Sequence, residues 1–245
     1  MGTTHPSHPD HELERKTYRK PYTCDGCKEL GFGSRYRCEQ CNFDLHEHCI
    51  FTTPTAHHDF FRNSTFKFLH QPPTKCSHYC PDCQRYCDAC GKPIRGFVYH
   101  CKEKGWDLHP CCLKLPNSLS IKNVKFDLSD KVSLKCIWCK KKKLEGTVSG
   151  IRGWSYVSKC EEYHFHVYCA TEMMLDGWQN GAFNDDRSLA LENLELPTDR
   201  RLSTNRRRGN KFIKMVKMVF RTIIGILLGD PTVILAGLLV ELIGK

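Results

Sequence analysis

Long apolar runs are scarce in this 245-residue chain, and the strongly apolar one is confined to the C-terminus, from Phe220 to Ile243. The N-terminus, M-G-T-T-H-P-S-H-P-D, has no apolar segment of the kind a secretion signal needs. Pro6 stands where a myristoylation signal would carry Ser or Thr. With no export signal in view, closely spaced thiols read as metal ligands in a reducing compartment rather than as disulfides. Catalytic signatures are missing too. There is no H-E-x-x-H, no H-x-E…P-C-x-x-C, and no thioredoxin-like strand–helix setting around a C-x-x-C pair, so an enzyme is not expected. Net positive charge is concentrated in one segment, and the rest of the chain is nearly neutral. Between Pro197 and Arg221, nine basic residues face Asp199, which accounts for eight of the chain's net +10. A finger array that grips nucleic acid spreads its basic residues over the finger surfaces, so nucleic acid is not an expected partner.

What the chain does have is 17 Cys and 13 His. Thiolates and imidazoles at short intervals suit tetrahedral zinc, and the metal supplies folding energy that a very small core cannot. The densest run is Tyr22 to Cys49. A C-x2-C turn brings two sulfurs to one ion, and H-x2-C does the same with one helical turn. Cys24, Cys27, Cys38, Cys41, His46 and Cys49 make six donors, too many for one zinc and too few for two. His11 lies upstream at H-x12-C, and His57 downstream at C-x7-H.

The order H-x12-C-x2-C-x10-C-x2-C-x4-H-x2-C-x7-H resembles the C1-type zinc finger, the phorbol-ester/diacylglycerol-binding module. It is most similar to the divergent version found in plant cysteine/histidine-rich proteins. That resemblance implies interleaved ligation: Cys24, Cys27, His46 and Cys49 for one zinc, and His11, Cys38, Cys41 and His57 for the other. The family usually has Cys at the last of these positions. A rival reading comes from the plant homeodomain finger, a chromatin reader, which fits the same six ligands if Cys80 and Cys83 supply the last pair. It leaves His11 and the internal repeats unexplained, and the Trp usual before that pair is missing.

The pattern repeats. Cys87, Cys90, His109 and Cys112 form a second set, with W-D-L-H matching F-D-L-H and Y-H-C matching Y-R-C. Lys104 occupies the place of Cys41, which leaves Cys101 and His58 as partners for an incomplete outer site. Cys76, His78, Cys80 and Cys83 either complete that site or form an insertion. Cys111 reads as a packed neighbour of Cys112. A third set, Cys136, Cys139, His166 and Cys169, leaves Cys160 over and looks like a one-zinc finger.

The expected fold is therefore a tandem of small α+β zinc-stabilised modules, C1-like, each with short antiparallel hairpins and a short helix after H-x2-C. The modules span residues 1–57, 58–116 and 117–175. A linker with the basic stretch follows at 176–210, and a basic, apolar helical tail at 211–245. Zn2+ is the expected cofactor, at three sites, or four or more if the outer sites are complete.

The resemblance implies a non-enzymatic adaptor for proteins or membranes in intracellular signalling or trafficking, with no small-molecule substrate. Pro21 matches the family's Pro ahead of Cys24, but the loop K-E-L-G-F-G-S-R-Y-R is shorter than the family's and lacks its long apolar tip and Gln. Tight diacylglycerol binding is not expected. In the tail, Lys211, Lys214, Lys217 and Arg221 share a helical face, Gly225 and Gly229 make a G-x-x-x-G, and G-D-P reads as a turn between two apolar helices. This pattern favours a hairpin or shallow anchor on an anionic membrane surface such as an endomembrane, with the fingers on the cytosolic face. The chromatin reading would place the chain in the nucleus.

Overall fold

The computed structural model describes residues 2–73, 84–121, 124–132, 134–143, 151–159, 163–172, 218–219 and 222–229. These carry three antiparallel four-stranded sheets and two compact units. One unit runs to Leu115 and includes residues 225–229; the other begins at Pro116.

In the first sheet, β1 (Thr3–His5), β2 (His8–Thr23), β3 (Leu30–Cys38) and β4 (Phe43–Leu45) follow in chain order. A one-turn helix, α1 (Glu47–Ile50), closes the module. The second sheet repeats this plan with β5 (Thr55–Ala56), β6 (Phe66–Leu69), β7 (Val98–Cys101) and β8 (Trp106–Leu108), followed by α2 (Pro110–Leu113). Pro110 sits inside the start of α2, where its missing N–H costs nothing. The third sheet orders β9 (Ser118–Ile121), β10 (Val124–Ser129), β11 (Ser155–Ser158) and β12 (His164–His166) the same way, and residues 167–172 are helical.

Register makes the repeat explicit. Tyr36 pairs with Leu45, Tyr99 with Leu108, and Tyr156 with Phe165. Each pair lies one residue ahead of the metal-facing His, so strand pairing alone sets where that imidazole emerges. The cores are small. Leu13, Tyr22 and Leu45 fill the first module; Phe66, Ile94, Tyr99 and Leu108 the second; Phe126, Trp154, Tyr156 and Phe165 the third.

The first two modules share a core, because Phe97 is buried in the cluster of Leu13, Tyr22, Leu45 and the first module's cysteines. The Phe97 amide donates to the Gly26 carbonyl at 2.9 Å. Only glycines allow that approach: a Cβ on Gly96 would lie 2.0 Å from the Gly26 oxygen, and one on Gly26 would lie 2.5 Å from the Phe97 ring.

The expected C-terminal helical hairpin is not formed by the described residues. Residues 222–227 are helical, and Gly229, in the left-handed region at φ +71°, stops the helix as a C-terminal glycine does. The G-D-P turn and everything after it lie outside the described residues. No helix among the described residues is long and apolar enough to cross a membrane.

Candidate metal centres

Each C-x2-C pair sits on the same backbone knuckle. The first cysteine's N–H takes the carbonyl five residues on (Glu29, Lys92, Lys141). Its own carbonyl takes the N–H four residues on (Lys28, Gly91, Lys140), and those three residues all have positive φ. Lysine at such a position is strained relative to glycine, so Lys28 and Lys140 hold it only because the knuckle is pinned elsewhere. The pin is a second hydrogen bond: the N–H after the first cysteine donates to the carbonyl two residues before the His, at 2.7 Å to Asp44, 2.8 Å to Asp107 and 2.8 Å to His164. In modules one and two a carboxylate answers in return, Asp25 accepting from the Asp44 amide and Asp88 from the Asp107 amide.

The knuckles bring together three sets: Cys24, Cys27, His46 and Cys49; Cys87, Cys90, His109 and Cys112; and Cys136, Cys139, His166 and Cys169. Within each, the donor atoms all lie within 4.8 Å of one another. In every set the His presents Nδ1 to the sulfurs, at 3.3 Å from Cys27, 3.4 Å from Cys90 and 3.4 Å from Cys139. Its Nε2 faces a backbone carbonyl, that of Leu30, Pro93 or Lys142. A ring nitrogen spent on a carbonyl fixes the tautomer and leaves the other to the metal. Backbone amides also reach the sulfurs, His46 N to Cys24 at 3.4 Å and His109 N to Cys87 at 3.5 Å, which favours thiolate.

The electrostatics ask for a cation. Burial alone would lower the His46 pKa, yet the sulfurs of Cys111, Cys24 and Cys27 raise it well above its usual value. Burial would likewise raise the Cys24 thiol, but hydrogen bonds from Cys27 and Cys49 bring it well below. Cys136 falls to about 3, chiefly through its bond from Cys169. Three sulfurs with one imidazole nitrogen are the donor set of structural zinc.

A fourth group joins His8, His11, Cys38 and Cys41. Cys41 Sγ lies 3.2 Å from His11 Nδ1. His8 Nε2 is buried without a hydrogen-bond partner, an orphan that a metal ion in this group would satisfy.

Residues 6–50 match the family model described as the C1 domain. The chain is a C1-like, cysteine/histidine-rich protein. A 51-residue stretch is 45% identical to probable nucleoredoxin 1 of Arabidopsis thaliana, covering 21% of this chain and 9% of that protein. A 117-residue stretch is 26% identical to protein kinase C delta type of Mus musculus, covering 42% of this chain and 17% of that protein. The chain thus spans less than a fifth of either relative. No solved structure matches it.

Some expected ligands stand elsewhere. The outer site of the first module takes His8 where spacing pointed to His57, whose Nδ1 faces the Ser64 carbonyl at 3.1 Å. His57 directly follows β5 of the second sheet, so the C-x7-H interval carries it out of the first module. His58 turns Nε2 to the Leu115 carbonyl at 2.7 Å, and the buried Cys101 thiol lies 3.4 Å from Glu103; the two join no group among the described residues. With Lys104 in the place of Cys41, Cys101 has no C-x2-C partner at that position. In the third module strand register places Ser158 where the first module has Cys38 and the second Cys101. Cys160, Cys76, His78, Cys80 and Cys83 lie outside the described residues.

Proposed function

We propose that this chain is a non-enzymatic zinc protein whose C1-like modules serve as binding surfaces for other proteins, and for an anionic membrane surface through the basic segment 200–221. One observation carries the reading. The three recurrent donor sets are complete Cys3His cages whose donors are buried, Cys139 alone being half-exposed, so no position stays open for a catalytic water. Such cages stabilise folds and leave the exterior for recognition. The wide gap in coverage of both relatives keeps their activities from being carried across.

Tight diacylglycerol binding is not part of the proposal. The segment after Cys27 enters β3 almost at once, with Gly31 paired to Tyr22 and Leu30 to Thr23. That leaves no protruding apolar loop there. Among the described residues the large exposed hydrophobic side chain is Phe51, at 57%. The plant homeodomain reading is not favoured. It needs a pair downstream of Cys49 for Cys38 and Cys41, and these meet His8 and His11 from upstream. On the same proposal the thiols work in the reducing cytosol.

Native mass spectrometry of the purified full chain tests the zinc reading. Four zinc ions are expected, three in Cys3His cages and one in the outer site of the first module. A chain that folds with none would end the proposal.

A further inference from the structure

Beside the cage of the first module lies a further sulfur, and it comes from the second: Cys111 stands outside the four donors that all lie within 4.8 Å of one another, yet it reaches their imidazole. Helix α2 packs on α1, and Cys111 on α2 is 3% exposed. Its Sγ lies 3.4 Å from His46 Nδ1. Cys27 is at 3.3 Å from the same nitrogen, while Cys49, the ligand expected from the H-x2-C spacing, is at 3.9 Å. Two ligands of one tetrahedral zinc, with Zn–S of about 2.3 Å and Zn–N of about 2.05 Å, stand about 3.6 Å apart. Cys111 is therefore at ligand distance from the metal-facing nitrogen.

Cys111 has no place in its own module's cage, where His109 and Cys112 complete the H-x2-C pair. The matching residue is His48 in the first module and Tyr168 in the third, so the thiol is peculiar to the face that meets its neighbour.

We propose that Cys111 is an exchangeable ligand of the inner site of the first module, which makes that metal site common to two modules. A tetrahedral ion takes four donors, so Cys49 and Cys111 alternate. When Cys111 binds, the Zn–S bond to Cys49 breaks and the Zn–S bond to Cys111 forms. The Cys111 thiol gives up its proton as it binds, and the departing Cys49 sulfur takes one up. No charge is gained or lost, and no oxidant is involved. The ion then ties α2 to the first module's knuckle, beside the Phe97–Gly26 contact, and the two modules hold their metal as one body.

The inference rests on the zinc reading above but fails separately from it. The full chain and its Cys24→Ala, Cys49→Ser and Cys49→Ser/Cys111→Ala variants are compared for bound zinc by native mass spectrometry. Cys49→Ser is expected to keep the zinc number of the unmutated chain, whereas the double variant and Cys24→Ala each lose one ion. Loss of one ion from Cys49→Ser alone would overturn the inference while leaving the zinc reading intact. Should the Cys49 variant fail to fold, the unmutated chain loaded with 113Cd decides. Scalar coupling from the ion bound by His46 to the Cys111 methylene supports the exchange, and coupling to Cys24, Cys27 and Cys49 without Cys111 overturns it.

Discussion

His8 and His57 compete on paper for one corner of the outer site. Family spacing favours His57, three-dimensional proximity favours His8, and the two predict opposite mutational outcomes. His8→Ala should lower the zinc content of the full chain by one, and His57→Ala should leave it unchanged, both read by native mass spectrometry. The reverse result would restore the downstream ligand. The reason His8 escapes sequence reading is physical. His8 and His11 are three apart on an extended strand, where alternation puts them on opposite faces. The register between β1 and β2 shifts between Thr3 and His5, at the turn where His8 begins β2, and regular alternation cannot be assumed there. The C-x2-C and H-x2-C pairs, by contrast, are each shaped by backbone bonds within six residues, with one longer-range bond joining the two. Short-range spacing therefore makes Cys24, Cys27, His46 and Cys49 and their repeats legible. Cys111 is the opposite case: nothing within its own module shows that its sulfur faces the neighbour's imidazole.

At the scale of elements, the joint between the first two modules turns on Phe97, a residue that no ligand pattern points to. The hairpins and short helices could be anticipated from alternation and from the C-x2-C and H-x2-C spacings. The sharing of one ring between two cores could not, because it depends on Gly26 and Gly96 meeting across sequence-distant loops. Phe97 is 4% exposed and stacks edge-on against Phe68 and His70. Truncating it removes buried ring area and leaves a cavity between two backbones that cannot easily close, a change that typically costs about 3–5 kcal/mol. Phe97→Ala is expected to lower stability by about that amount in urea unfolding. Its zinc content should stay that of the unmutated chain, since every ligand is untouched. Phe60→Ala, at a half-buried ring outside the shared core cluster, should cost less. Equal losses from the two would mean that the modules are not coupled through Phe97.

At the scale of the whole molecule, charge and apolar surface are segregated, and the tail is where they meet. Eight of the ten net positive charges lie between Pro197 and Arg221, just ahead of the apolar run. Within that run the described residues are not free for a bilayer. Residues 222–229 are buried. The Leu228 carbonyl accepts the Phe32 amide at 3.4 Å, and a Cβ on Gly229 would lie 2.7 Å from the His46 ring. The apolar pattern suggests an anchor when read along the chain, because hydropathy does not say whether lipid or protein covers a face. Contacts with β3 and the metal-facing His argue that protein covers this one. Charge is then what remains for a membrane, and charge is screened, with a Debye length of about 10 Å at 0.1 M salt. The full chain should therefore co-sediment with anionic vesicles at low ionic strength, come off as salt is raised, and show no added binding when diacylglycerol is included. Deleting residues 211–245 removes Lys211, Lys214, Lys217 and Arg221 together with the apolar run, so the shortened chain should bind more weakly at low salt. Binding by the full chain that survives high salt and vanishes on deletion would mean that the apolar run leaves the first module for the bilayer, and that the contacts of Leu228 and Gly229 are one state of a segment with two.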